Sequence, residues 1–353
     1  LHTLPVECLP DPAQPSQTMG DTHACLRLSS TRTLVSGDPR STPSAISLYG
    51  GLRYDVPTDT LVADARRYPL IATTRSAIVI PDDTLGIDRA ASDSMLLRST
   101  MAYLPATKTE AENIARECQA RNIDTRLLMD HNGTEASLKA LSGRRLDILH
   151  LATHGFYWTE RQAARMRRLG FLNTNSARTD EDNALLRSGV LMAGANNALR
   201  GIALPAEVDD GIATAEEISR LDLRGLDMVV LSACQSGLGE VTGEGVFGLQ
   251  RGFKKAGVRS LLVSLWPVDD NATRLLMESF YRHYLSGSSK TEALDRARAE
   301  LRDYTLPQPE EATSESDAAP ADDASLTPSQ RRRMERQRLQ PAAGADAVTR
   351  PYD

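Results

Sequence analysis

The chain of 353 residues carries 41 Lys and Arg against 47 Asp and Glu, a formal charge of −6, with 41% apolar and 25% charged residues. Such a balance suits one large or two modest globular domains, and basic residues scattered apart from one late cluster exclude nucleic-acid binding as the main business. The four cysteines Cys8, Cys25, Cys118 and Cys234 lack a CxxC spacing, so neither a metal site nor a disulfide framework is supported, and no apolar run reaches membrane-spanning length. Leu1 in place of Met points to an excised segment, and cytoplasm is the default expectation for location.

In chain order, residues 1–45 are rich in Pro, Ser and Thr and read as a linker or N-terminal extension. Ile46–Asp55 reads as a short strand or hairpin arm interrupted by Gly50 and Gly51. From about Met101 onward, strands and helices alternate, the pattern of a parallel sheet with crossover helices. Thr109–Glu112, Thr214–Glu217 and Ser289–Glu292 have the capping-box spacing that satisfies free first-turn amides. Strands are expected near Asp124–Leu128, Leu146–Ala152, Leu226–Ala233 and Gly257–Leu265, each apolar enough to be covered on both faces. Cys118 falls on the Ala111, Ile114 and Ala115 face of its helix, as an inert buried cysteine would. Further helices follow from Val246, Leu249, Phe253 and Ala256, from a segment running to about Leu285, and from one ending near Asp303. The expected fold is α/β, a mainly parallel sheet flanked by helices on both faces, over residues 46–303. Residues 304–345 read as a flexible insertion or tail, acidic at first and then basic through Arg331–Arg338, and 346–353 as the start of a further segment.

Two strand ends carry the chemistry. Leu146–Gly155 ends in His154-Gly155, and Asp227–Gly237 ends in Cys234-Gln-Ser-Gly, 80 positions from His154. An open α/β sheet exposes its reactive groups at such carboxyl edges, and His beside Cys suggests a cysteine peptidase dyad. Glycines after Cys234 let backbone amides approach a bound carbonyl. His150 and His154 invite a zinc reading at i, i+4, but that spacing shares a face on a helix, whereas this stretch is a strand and shows no third ligand. Gly237–Gly248 resembles a phosphate cradle but lacks the Gly-Lys-Ser/Thr ending, which leaves nucleotide or phosphate-ester chemistry as a minor alternative. Gln235, Trp266 and Asp269 are the expected substrate-binding residues; Asp269 could pair with a basic substrate side chain or simply cap the following helix, and Trp266 could equally be a core aromatic.

The phrases His150–Phe156, Leu186–Asn196, Asp209–Ile218, Leu231–Gly239, Gly245–Phe253 and Ser264–Asp270 resemble, in wording and order, the CHAT domain. This is a bacterial caspase- and separase-like cysteine peptidase domain often found behind tetratricopeptide repeats. The resemblance implies a caspase-like fold, hydrolysis of peptide bonds in protein substrates by a thiolate, and no cofactor. Carried over by position, Cys234 is the nucleophile, His154 the acid/base, and the amides of Gly155 and Cys234 the oxyanion hole. It also implies an upstream repeat region or regulatory protein as partner, while the charge distribution and the lack of a spanning apolar run give no expectation of a nucleic-acid or membrane partner. Family members usually continue past a Pro-Tyr pair like Pro351-Tyr352 into a last strand, whereas this chain stops at Asp353. Arg residues in Thr159–Arg187 and Arg331–Arg338 are candidate self-processing sites, the alternative being a solvated charge run. The competing class of function is a catalytically latent interaction module.

Overall fold

In this computed structural model the described residues are 9–23, 42–68, 100–157, 185–232, 243–264 and 268–304. Cys234, Gln235, Trp266, most of Thr159–Arg187 and the Arg331–Arg338 cluster lie outside them. A short helix α1 (Met19–Thr22) and an isolated bridge between Pro10 and Thr18 shape the first described segment.

The central sheet has five parallel strands in the order β2 (Asp124–Asp130), β1 (Ala45–Leu52), β3 (Ile148–Leu151), β7 (Met228–Leu231) and β8 (Ser260–Val263). This is the expected mainly parallel α/β sheet, and all four strands read after Met101 are present. Period-2 alternation assigns its two faces. Ile46, Leu48, Ile148, Met228 and Val230 point to one cluster with Ile114, Cys118, Phe280 and Tyr281, which belong to α3 (Pro105–Gln119) and α8 (Asp270–Leu285). Tyr49, Leu149, Leu151, Val229 and Leu231 point to the opposite cluster, with Leu138, Ile218 and Phe253. These come from α4 (Glu135–Lys139), α6 (Ala215–Ser219) and α7 (Gly243–Lys255). Strands β1, β3 and β7 are buried on both sides, whereas the outer strands β2 and β8 are half-buried, so coverage on both faces holds only for the middle of the sheet.

Two local expectations need correction. Gly50 and Gly51 do not break β1 into a hairpin arm: β1 is a single parallel strand between β2 and β3, with a register irregularity between Tyr49 and Leu52. The glycines instead let α3 lie close, because a Cβ on Gly50 would strike the Thr107 carbonyl oxygen and Gly51 has φ 58°. Likewise, α3 does not start at Thr109. Pro105 occupies its first turn after Leu104, its ring pre-setting φ, so Thr109–Glu112 lies inside the helix. The boxes at Thr214 and at Ser289, which opens α9 (Lys290–Arg302), are formed with both reciprocal hydrogen bonds.

A second sheet of three short antiparallel strands follows the order β4 (Gly155–Tyr157), β5 (Ser188–Leu191), β6 (Ile212–Thr214). It begins at Gly155, immediately after His154. Two short helices remain, α2 (Thr58–Ala65) and α5 (Ala195–Leu199). No described helix is long and apolar enough to cross a membrane.

Candidate active site

Strands β3 and β7 are hydrogen-bonded neighbours with Leu151 opposite Leu231, so His154 and Cys234 each follow an equivalent position by three residues. Parallel neighbours lie about 4.8 Å apart. Their carboxyl ends therefore deliver His154 and the chain leading to Cys234 to one edge of the sheet.

His154 is 4% exposed, and its Nε2 lies 2.8 Å from the carbonyl oxygen of Ala102. A carbonyl only accepts, so Nε2 carries the proton in this contact and the lone pair of the neutral ring is on Nδ1. The residue is held on its other sides as well. Its backbone carbonyl accepts from Leu191 N at 2.8 Å, its N–H points at the Tyr54 hydroxyl at 3.4 Å, and the Tyr54 and His154 rings sit 5.0 Å apart at 48°. The Tyr54 hydroxyl meets Thr153 Oγ1 at 2.8 Å, and Thr153 Oγ1 donates in turn to the Leu191 carbonyl. Burial, only partly offset by the hydrogen bonds to Thr153 and His154, pushes the Tyr54 phenol up to about 12, which keeps it a neutral relay of hydrogen bonds.

Gly155 is half-buried at the start of β4, opposite Val190. Asp269 is exposed and caps α8: its carboxylate accepts from Ala272 N at 2.9 Å. The helix-cap reading of Asp269 is thus formed. Burial pushes the Asp270 carboxyl up, the attraction of His154 pulls it down, and Asp269 and Glu110 push it up further. The loop read as a phosphate cradle is shorter than the glycine spacing suggested, because α7 already begins at Gly243.

His150 does not join His154. It lies inside β3, fully buried on the face covered by α3 and α8, with Nδ1 3.2 Å from the Tyr281 hydroxyl and Nε2 3.0 Å from Glu110 Oε1. The second contact is close but poorly aligned for a hydrogen bond. Glu110 also accepts from Ser232 Oγ, so one buried carboxylate ties α3 to the last described residue before the Cys234 loop. Cys118 is fully buried nearby with its thiol pushed up to about 12 by burial, which makes it unreactive.

Sequence reasoning missed Ala102, Tyr54, Thr153 and Glu110. Ala102 acts through its backbone, which leaves no mark in the sequence. Thr153 adjoins a residue already singled out, so adjacency was an available signal.

Two comparisons with known proteins bear on this geometry. The family model described as "CHAT domain" matches residues 1–336. Proteins called tetratricopeptide repeat protein 28 are 40% identical over 78 residues in Mus musculus and 38% over 84 residues in Homo sapiens. Those alignments cover 22% and 24% of this chain but only 3% of either relative, so the chain spans a small part of the length of the curated relatives it matches. The CHAT family is associated with caspase-like cysteine peptidases. The family match over nearly the whole chain agrees with a mainly parallel sheet in which β3, the strand before His154, adjoins β7, and the chain belongs to the CHAT-domain family.

Proposed function

We propose that this chain is a cysteine endopeptidase in which Cys234 is the nucleophile and His154 the acid/base. One observation carries the reading: the 2.8 Å contact of His154 Nε2 with the Ala102 carbonyl leaves Nδ1 as the basic nitrogen, on a strand adjoining the one that leads to Cys234. Nδ1 takes the thiol proton, the thiolate adds to the scissile carbonyl, and the protonated ring gives that proton to the departing amine. Water, deprotonated by the same nitrogen, then releases the acyl group. The amides of Gly155 and Cys234 are assigned to the developing oxyanion, where such donors contribute on the order of 10²–10³ in rate. Gln235, Trp266 and the Asp269–Asp270 edge are assigned to substrate, with the acidic edge favouring basic side chains. No cofactor is invoked.

The test is cleavage of an unfolded protein and a peptide library by the wild-type chain and by Cys234→Ala. Wild type is expected to cut, preferentially after Arg or Lys, and the variant to fall to background while keeping its thermal unfolding profile; cutting by the variant would refute the assignment. Intact mass after incubation reads self-processing at the Arg-rich segments Thr159–Arg187 and Arg331–Arg338.

The repeat-protein relatives favour a second reading, a domain latent until an attached tetratricopeptide region or a regulatory partner rearranges its loops. A peptide-based electrophile separates the two: labelling of Cys234 in the isolated chain supports a competent site, whereas labelling only in the presence of a repeat partner supports latency.

A further inference from the structure

The carbonyl that sets the tautomer of His154 belongs to a short extended segment, residues 100–104, ahead of α3. Ala102 itself is exposed, and an exposed segment does not hold a carbonyl at a fixed place without help. The help comes from Asn196, in α5, which is fully buried. Its Oδ1 accepts from Met101 N at 2.8 Å and its Nδ2 donates to the Met101 carbonyl at 3.2 Å. One side-chain amide thus pairs with both backbone groups of Met101, as a neighbouring strand would. Nδ2 also donates to Asp55 Oδ2 at 2.9 Å, which engages both amide hydrogens and the oxygen of the side chain. The backbone of Asn196 is anchored in turn, its N–H donating to the Tyr54 carbonyl at 3.0 Å. Tyr54 is the residue whose ring and hydroxyl brace His154. Asn196 therefore ties together the two elements that hold the imidazole: the Met101–Ala102 backbone at Nε2, and Tyr54 beside the ring.

We propose that Asn196 is a positioning residue for His154, acting through the Met101–Ala102 backbone to decide which ring nitrogen is the base. Its catalytic consequence rests on the peptidase reading above; its geometric content does not. Without the side-chain amide, Met101 N–H and C=O lose their partners, residues 100–104 drift, and the Ala102 carbonyl no longer selects the Nε2–H form. A ring free to carry its proton on Nδ1 presents no lone pair to the thiol.

Asn197 provides the matched control. It is its sequence neighbour on the same helix, buried, and donates to the Val56 carbonyl at 2.7 Å, and its described hydrogen bonds go to Val56, Gly194 and Ile202 rather than to residues 100–104. The chain has only six histidines, so the imidazole nitrogens of His154 can be assigned by ¹⁵N NMR, with the ring neutral and in a Cys234→Ala background that removes thiolate pairing. Wild type and Asn197→Ala are expected to show the Nε2–H tautomer, and Asn196→Ala a mixture of both. With Cys234 present, Asn196→Ala is expected to lose roughly 10²-fold in kcat, the scale of a small misplacement of a catalytic group, with KM within about twofold. Asn196→Ser, which retains one polar partner, takes the place of the alanine variant if that one does not fold. A wild-type Nδ1–H tautomer overturns the proposal without reference to any variant. So does a folded Asn196 variant with the wild-type tautomer, or an Asn197→Ala variant disturbed as much as Asn196→Ala. If the tautomers behave as expected but wild type cuts nothing, the peptidase reading fails and the positioning role of Asn196 stands.

Discussion

At the scale of the residue, one buried carboxylate ties α3 to the end of β7. Glu110 is 1% exposed and is shared by His150 of β3 and by Ser232 at the end of β7. A buried carboxylate that accepts from Ser232 Oγ is costly to remove, because that hydroxyl then loses this acceptor in a medium that cannot hydrate it. Glu110→Ala is expected to lower stability by about 1–3 kcal/mol, read by urea unfolding, since leaving a buried hydrogen-bonding group without its partner falls in that range. Glu110→Gln keeps a side-chain oxygen that can accept from Ser232, so it is expected to lose less; equal losses would mean that this retained acceptor contributes nothing.

At the scale of the element, close packing rather than intrinsic propensity decides. Gly252 lies within α7, where Ala would favour the helix by about 1 kcal/mol. A Cβ there, however, would come 2.6 Å from the Ala215 carbonyl oxygen and 3.0 Å from its Cβ, at the start of α6. Backbone cannot swing aside as a long side chain can, and overpacking costs about 1–3 kcal/mol. Gly252→Ala is therefore expected to be net destabilising in thermal unfolding, and a raised midpoint would show that α6 and α7 can separate freely. The exposed cap of α9 behaves differently. Ser289→Ala removes the acceptor for Glu292 N at 3.2 Å and is expected to cost about 1 kcal/mol while leaving any peptidase activity untouched.

At the scale of the whole molecule, electrostatics couples the two sheets to pH. Lys139 on α4 makes ion pairs with Glu135 at 2.6 Å, Asp209 at 3.1 Å and Glu217 at 3.3 Å, and Glu135 also accepts from Gly211 N, just before β6. One ammonium cannot balance these three carboxylates and Asp210. Burial, reinforced by Glu217, pushes the Asp210 carboxyl up to about 7, and burial likewise raises Glu135 against the pull of Lys139. The ammonium of Lys139 is raised by Glu135, Glu217 and Asp209 against the opposing effect of its own burial, so it stays charged throughout this range. In the unfolded chain an Asp titrates near 4. Between those two values the folded state binds more protons than the unfolded one, so the contribution of this cluster to stability is complete below about 4 and declines as pH rises through about 7. Asp210→Asn is expected to flatten that decline in urea unfolding followed against pH, and an unchanged slope would remove Asp210 from the account.

The sequence alone determined the periodicities and the order of the motifs: apolar runs of strand length, the boxes at Thr214 and Ser289, and His-Gly and Ala-Cys at strand ends. These are local properties, set by which side chains alternate and which can satisfy a first-turn amide, so they survive without coordinates. Tertiary structure alone decided what the glycines of β1 are for, because Gly50 is explained by a helix more than fifty positions away, at Thr107. It also decided that Asp269 caps α8, its carboxylate accepting from Ala272 N. The tautomer of His154 depends on the Ala102 carbonyl and on Asn196, which pins the backbone beside it. A carbonyl is common to every residue, and its partners are fixed only when distant segments pack together, so no pattern of side chains could have named it.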